Sequence, residues 1–190
     1  RLAALRVVMS AEGVDGCLVP RADAHQGEYV APRDARLAWL TGFTGSAGWC
    51  VALRDRAAVF VDSRYRVQVK AQVHDVFEKV DWPETELHAW IAEALPQGRL
   101  AFDPWLLTVE QNRRLTEKLA EVTLAPTGNL VDRVWPDQPA PPMGAVFAQP
   151  LDLAGQPHAD KIAQLAGALT DAKACVITLP DSIAWLLNIR

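Results

Sequence analysis

Three short stretches of this sequence hold side chains able to do chemistry. Asp23, His25 and Glu28 lie close together in a polar run, and carboxylates with an imidazole are donor types that hold a divalent cation. A closed zinc site takes four such ligands and this run offers three, so a solvated loop is the plainer reading. The second stretch, Thr41-Gly-Phe-Thr-Gly-Ser-Ala-Gly48, is the most glycine-rich segment of the chain. Glycines let backbone come close to a ligand, and successive N–H groups can hold an anion. The segment lacks the Gly-Lys-Ser/Thr of a phosphate-binding loop and the glycine spacing of a dinucleotide fingerprint. Two readings stay open for it, a helix-to-strand turn that needs positive φ and a loop that faces a ligand. The third stretch is Asp62-Ser-Arg-Tyr65, where Asp62 can cap a helix and Arg64 can pair with a carboxylate. Capping alone accounts for Asp62. The sequence has no Gly-x-Ser-x-Gly, no His-Glu-x-x-His and no dense cluster of carboxylates and histidines.

The elements that must position these stretches follow from periodicity. Leu2, Leu5, Val8 and Met9 recur at helical spacing and predict an amphipathic helix over the first dozen residues. Residues 17–19 read as a buried strand ended by Pro20, residues 21–32 as a loop, and residues 34–40 as a helix. Trp49–Leu53 and Ala57–Val61 are apolar runs joined by Arg54-Asp55-Arg56, which predicts a hairpin. Beyond it, helices are expected at 64–73, 84–95 and 109–119, and strands at 76–80, 100–102 and 123–125. Helices alternating with short apolar strands give an α/β class with a mixed β-sheet flanked by helices.

Pro136, Pro139, Pro141, Pro142, Pro150 and Pro157 crowd the next stretch, which reads as a stiff connector. The chain then repeats itself. Lys161-Ile-Ala-Gln-Leu matches Arg1-Leu-Ala-Ala-Leu, Cys175-Val-Ile-Thr-Leu-Pro180 matches Cys17-Leu-Val-Pro20, and Ser182-Ile-Ala-Trp-Leu186 matches Arg36-Leu-Ala-Trp-Leu40. The expected organisation is a first domain over 1–140, a Pro-rich linker over 141–157, and the beginning of a second related domain over 158–190. A partial repeat cannot bury its own sheet face. With Arg1 in place of Met, this leads us to expect a fragment of a longer protein.

Composition sets the outer bounds. Half of the 190 residues are hydrophobic and 22% are charged, which excludes a disordered chain or a collagen. A net charge of -4 offers no electrostatic footprint for nucleic acid or an anionic membrane. No apolar run approaches the roughly 18 residues of a membrane helix, and no secretory signal is visible, so a cytoplasmic location is expected. Cys17, Cys50 and Cys175 form no Cys-x-x-Cys pair; no disulfide or zinc site is expected, and Cys17 and Cys175 read as buried thiols within strands. Seven Trp stand against five Phe and two Tyr. Trp39, Trp90 and Trp185 fall on apolar helix faces and are assigned to the core, while Trp82, Trp105 and Trp135, beside prolines, are candidate interface anchors.

At these same segments the sequence resembles the amino-terminal part of Xaa-Pro aminopeptidases, in the three-domain subgroup of the creatinase/prolidase group. The matching stretches are Asp23-Ala-His-Gln-Gly-Glu-Tyr29, Thr41–Gly48, Asp62–Tyr65, Asn129-Leu-Val-Asp-Arg-Val-Trp135 and Ile183-Ala-Trp-Leu-Leu-Asn-Ile-Arg190. They span almost the whole chain in the family's order. The resemblance implies two related α/β domains followed by a pita-bread catalytic domain. There two Asp, one His and two Glu hold two divalent metals, usually manganese, and a metal-bridging hydroxide attacks the bond before proline. None of those five ligands falls on this chain.

The resemblance further implies that these domains wall a cleft for proline-containing peptides, pack on the protein's own catalytic domain and support a homodimer. It makes Phe43 and Ser46 substrate-proximal candidates, followed by His25, Tyr29 and, from the second domain, Arg190. Several relatives carry Asp where Thr44 stands and Gly where Ser63 stands, so an acidic contact at position 44 is not expected here. The resulting reading is a non-catalytic part of a metal-dependent aminopeptidase. A stand-alone binding module of the same fold ranks second, and an enzyme working through Asp23, His25 and Glu28 ranks third.

Overall fold

A computed structural model describes all residues, Arg1 to Arg190. It divides into two compact units, one formed by Arg1–Ala24 and Glu28–Ala140 and the other by His25–Gly27 and Pro141–Arg190.

The first unit is built on three strands that read as nearly unbroken apolar runs: β1 (Gly16–Pro20), β2 (Trp49–Leu53) and β3 (Ala57–Val61). Such runs belong in a sheet covered on both faces. β1 and β2 are antiparallel, as are β2 and β3, which form the expected hairpin. β4 (Glu78–Asp81) joins β3 in parallel, and β5 (Gly98–Phe102) and β6 (Val122–Pro126) extend β1 in parallel, giving the order β4-β3-β2-β1-β5-β6. β4 starts later than 76 because the His74 ring accepts the Val76 N–H and holds that stretch in a turn.

The two-residue period of the strands sorts the core. Leu18, Val51, Leu53, Phe60, Leu100 and Phe102 face α4 (Leu87–Ala94) and α5 (Val109–Lys118) through Trp90, Ile91, Leu115 and Leu119. Cys17, Val19, Cys50, Val59 and Val61 face the other way, against α1 (Leu2–Ala11), α2 (Arg36–Thr41) and α3 (Arg66–Gln72). Burial pushes the Cys17 thiol up to about 12 and the Cys50 thiol up as well, so both are inert at neutral pH. The extended backbone of Glu86 delays α4 to Leu87, three residues after the expected start.

The Asn129–Trp135 stretch closes this unit over α2. Leu130 and Val131 enter the core, and Asp132 takes two hydrogen bonds from the Arg36 guanidinium, at 2.6 and 2.9 Å. Arg36 also donates to Asp34 at 2.9 Å and is 6% exposed. Burial alone would lower its pKa; the bonds and charges of Asp132 and Asp34 more than offset this, and the pKa is raised. Trp135 stacks on Trp39 with ring centres 5.1 Å apart, so it is a packing residue and not the free interface anchor expected of it. Trp82 and Trp105 are exposed.

The second unit holds α6 (Leu151–Ala154), α7 (His158–Ala168) and α8 (Pro180–Leu187), with one isolated bridge between Ala148 and Ile189. The strand expected at 175–179 is not formed and Cys175 is exposed, not buried. Trp185, assigned to the core from its helical face, is 62% exposed. Both corrections have one cause. A strand satisfies its backbone through neighbours, and no strand of this unit lies beside 175–179 to pair with it or cover α8. No helix is long and apolar enough to cross a membrane.

Candidate functional site

The glycine-rich loop begins where α2 ends. Gly42 adopts φ 87° and returns its N–H to the Ala38 carbonyl, and a Cβ there would stand 2.8 Å from the Gln72 carbonyl oxygen. The turn reading holds at this position. The Thr41 hydroxyl donates to the Leu37 carbonyl at 2.7 Å and accepts the Phe43 N–H at 3.1 Å, and these bonds turn Phe43 inward. Its side chain is fully buried. Gly45 serves that ring, since a Cβ there would lie 2.2 Å from Phe43 Cζ; at Gly48 a Cβ would lie 2.9 Å from the Phe60 carbonyl oxygen and 3.0 Å from Phe43 Cε1. The loop is glycine-rich because it closes directly over an aromatic ring.

Around this anchor lies a polar rim. Ser46 Oγ is 2.8 Å from the Tyr65 hydroxyl and 3.4 Å from Glu28 Oε1. Either hydroxyl can donate across the shorter contact. The Tyr65 ring meets Phe43 edge to face at 5.5 Å, and the Arg64 guanidinium lies 5.0 Å from its centre. The Ser46 hydrogen bond, with the Arg64 charge behind it, holds the Tyr65 pKa below the usual tyrosine value. Asp62 caps the turn Ser63–Tyr65 by accepting the Arg64 N–H at 3.0 Å and pairs with the Arg64 side chain at 2.8 Å. Those bonds hold its carboxyl below the ordinary aspartate range. On the opposite side, Thr44 N–H donates to Gln72 Oε1 at 3.0 Å while Gln72 Nε2 donates back to Thr44 Oγ1 at 2.8 Å. Thr44 thus completes an amide–hydroxyl ring.

Of the residues singled out from sequence, Ser46 stands half-buried on this rim, and Tyr29 is 87% exposed. Phe43 does not display its ring; it supports the loop from below. His25 and Arg190 are exposed residues of the second unit, where Arg190 exchanges two backbone hydrogen bonds of 2.9 Å with Phe147. No three His, Cys, Asp or Glu side chains are grouped to hold a metal ion. Glu28, read only as a possible ligand, instead faces Ser46. Sequence reasoning missed Tyr65 and Gln72 as the partners of the loop. Tyr65 was legible as the last residue of a matching stretch, whereas Gln72 carried no signal.

Two models, each described as "Creatinase/Prolidase N-terminal domain", match residues 1–134 and 137–190. The whole chain is 39% identical to a Coccidioides posadasii protein described as "Probable Xaa-Pro aminopeptidase P", of which the match covers 33%. It is 36% identical to "Aminopeptidase P1" of Lotus japonicus, again over all of this chain and 30% of that protein. Among solved structures, X-prolyl aminopeptidase from Caenorhabditis elegans, described as a cytosolic enzyme with a di-nuclear active site, matches with a TM-score of 0.89 at 29% identity. That match covers all of this chain and 34% of the other. The chain thus spans about a third of the length of the curated relatives it matches.

Proposed function

The chain belongs to the creatinase/prolidase N-terminal domain family, and from that premise we propose that it is the non-catalytic amino-terminal portion of a metal-dependent Xaa-Pro aminopeptidase. The observation that carries this reading is coverage: relatives named as Xaa-Pro aminopeptidases match all of this chain with a third of their own length. The reading assigns 1–140 to a first domain, 141–157 to a linker and 158–190 to the opening of a second related domain. The parent protein removes the residue preceding proline from peptides, works in the cytoplasm and forms a homodimer.

Two divalent metals, manganese in this reading, belong to the parent's catalytic domain. The residues of this chain do not fit such a centre, since no three metal-binding side chains are gathered anywhere in it. The chain's contribution is shape. The loop over Phe43 is a rigid edge, fixed below by a buried ring and at its sides by Tyr65 and Gln72. It offers Ser46 to a neighbouring cleft. In this reading His25, Tyr29 and Arg190 also approach peptide substrate, and Phe43 acts through the loop it holds.

Steady-state kinetics test the proposal. The 190-residue chain in manganese is expected to leave an X-Pro peptide intact. In the full-length enzyme, Ser46→Trp is expected to raise KM several-fold with kcat little changed, because bulk on the rim obstructs binding and not chemistry. Turnover by the purified chain would overturn the non-catalytic assignment. An unchanged KM in the Ser46→Trp enzyme would overturn the substrate-facing role of the loop.

A further inference from the structure

The second unit repeats a specific contact of the first. Arg1, leading into α1, donates a hydrogen bond to the Trp39 carbonyl and places its guanidinium 4.9 Å from the centre of the Trp39 ring. Lys161, in the first half of α7, donates to the Trp185 carbonyl at 2.9 Å and stands 4.4 Å from the Trp185 ring. The two tryptophans hold the same place in Leu37-Ala-Trp-Leu40 and Ile183-Ala-Trp-Leu186. Both helices then end on a left-handed residue, Gly42 with φ 87° and Asn188 with φ 52°. Each of those residues returns its N–H to the alanine of its stretch, Ala38 or Ala184. In the second unit Asn188 Oδ1 also accepts from Lys161 at 2.7 Å, which is how an ammonium 4% exposed stays satisfied.

The clamps match, and the surroundings of the rings do not. Trp135 stacks on Trp39 with the planes 16° apart. Trp185 carries no such partner and borders a cavity of about 560 Å³, lined also by Leu165, Ile177 and Leu186. We infer that this cavity is the seat of an aromatic side chain from the same polypeptide, which stacks on Trp185 as Trp135 stacks on Trp39. The inference rests on the proposed reading of 158–190 as the opening of a second domain copy. Two observations choose the occupant. The first unit stacks its clamped tryptophan with a residue of its own chain, Trp135, about 100 residues later. The curated relatives are about three times as long as this chain, so one polypeptide has the length to do so again. An aromatic suits the seat because the ring already holds its cation in Lys161 and the cavity wall, bordered also by Gln164, Asp181 and Ser182, presents mainly apolar surface.

The test uses the full-length protein carrying p-benzoylphenylalanine at position 185, with parallel oxidative footprinting of tryptophans and thiol labelling of Cys175 in the unsubstituted protein. The expected result is a cross-link to an aromatic-containing peptide of the same chain about 100 residues downstream. Trp185 is also expected to oxidise several-fold more slowly than in urea-unfolded protein. A cross-link to a second subunit, or to a peptide elsewhere in the chain, would overturn the inference. So would oxidation of Trp185 at its unfolded rate. Slow labelling of Cys175 beside fast oxidation of Trp185 would leave the second-copy reading intact and remove the stacking partner alone. Fast reaction at both would remove the reading with the inference.

Discussion

Trp39 and Trp185 occupy the same place in the same short pattern, each beneath a basic side chain that also bonds its carbonyl, yet Trp39 is half-buried and Trp185 is 62% exposed. The difference comes from residues far along the chain. Around Trp39, Trp135 stacks on the ring and Asp132 grips Arg36, three residues before it. At Ser182, the counterpart of Arg36, no ion pair is made. The apolar runs tell the same story. Residues 16–20 are buried between β2 and β5, whereas residues 175–179 form no strand. A helix closes its hydrogen bonds within itself, so α7 and α8 form without a sheet beside them. A strand has no such option. The second unit has its helices and no sheet.

The sharpest way to break this comparison is at the residue that follows each left-handed cap, Phe43 in the first unit and Ile189 in the second. Phe43→Ala removes a fully buried ring and is expected to cost the first unit about 3–5 kcal/mol, read as a lower urea midpoint at unchanged m-value. Ile189→Ala is expected to leave that transition where it is. Gly45→Ala should cost about 1–3 kcal/mol by overpacking, and part of that loss should return in a Phe43→Leu background, because the three atoms nearest the added methyl all belong to that ring. Equal costs at Phe43 and Ile189 would mean that both units are finished cores and that the contrast is wrong.

What the sequence made legible follows the same division between local and distant. The hairpin was readable to the residue because Trp49–Leu53 and Ala57–Val61 are apolar runs joined by a short charged turn. Helix α5 was expected at 109–119, and in the structure Thr108 and Gln111 start it with a reciprocal capping box. The failures are distant effects. Trp185 has the helical pattern of a core residue, and 175–179 has the composition of a strand. Nothing within a few residues of either says whether a neighbour exists. The glycine loop stood between. Gly42 could be read as a turn from its neighbours, whereas Gly45 is explained by where the Phe43 ring goes and Gly48 by that ring together with the Phe60 carbonyl. The substrate-facing role proposed for the rim rests on resemblance, since Ser46 and Tyr65 lie nineteen residues apart with no motif joining them.

A second test asks how much of the first unit's stability rests on the distant pair Arg36 and Asp132. Asp132→Asn keeps the shape and removes the charge from a guanidinium that is nearly buried. Asp132 is itself about a quarter exposed, so the expected cost is about 2–3 kcal/mol, below the full penalty of a deeply buried orphan charge. In the second unit Asp181→Asn, at the residue before Ser182, is expected to shift the first unit's midpoint by less than about 0.5 kcal/mol. If Asp132→Asn proves equally mild, the closure of Asn129–Trp135 over α2 rests on Leu130, Val131 and the tryptophan stack instead.

The smallest effect should come from a pair whose partners are neighbours in sequence, Asp62 and Arg64. The Asp62 carboxyl is held below its ordinary value in the folded protein, first by the Arg64 side-chain bond and then by the Arg64 N–H. A carboxyl with a lowered folded pKa contributes stability that is present above its unfolded value, about 3.9, and is lost as pH falls through the folded value. Lowering the pH from 6 to 3 should therefore cost the natural chain slightly more than an Asp62→Asn chain, in which the amide oxygen still accepts the Arg64 N–H but nothing titrates. The gap should be a few tenths of a kcal/mol, since Arg64 is largely in water and solvent screens the pair. Urea midpoints at the two pH values decide it. Parallel losses in both chains would show that Asp62 acts purely as a cap, and a gap as large as that of Asp132→Asn would show that local ion pairs, and not distant ones, hold this unit together.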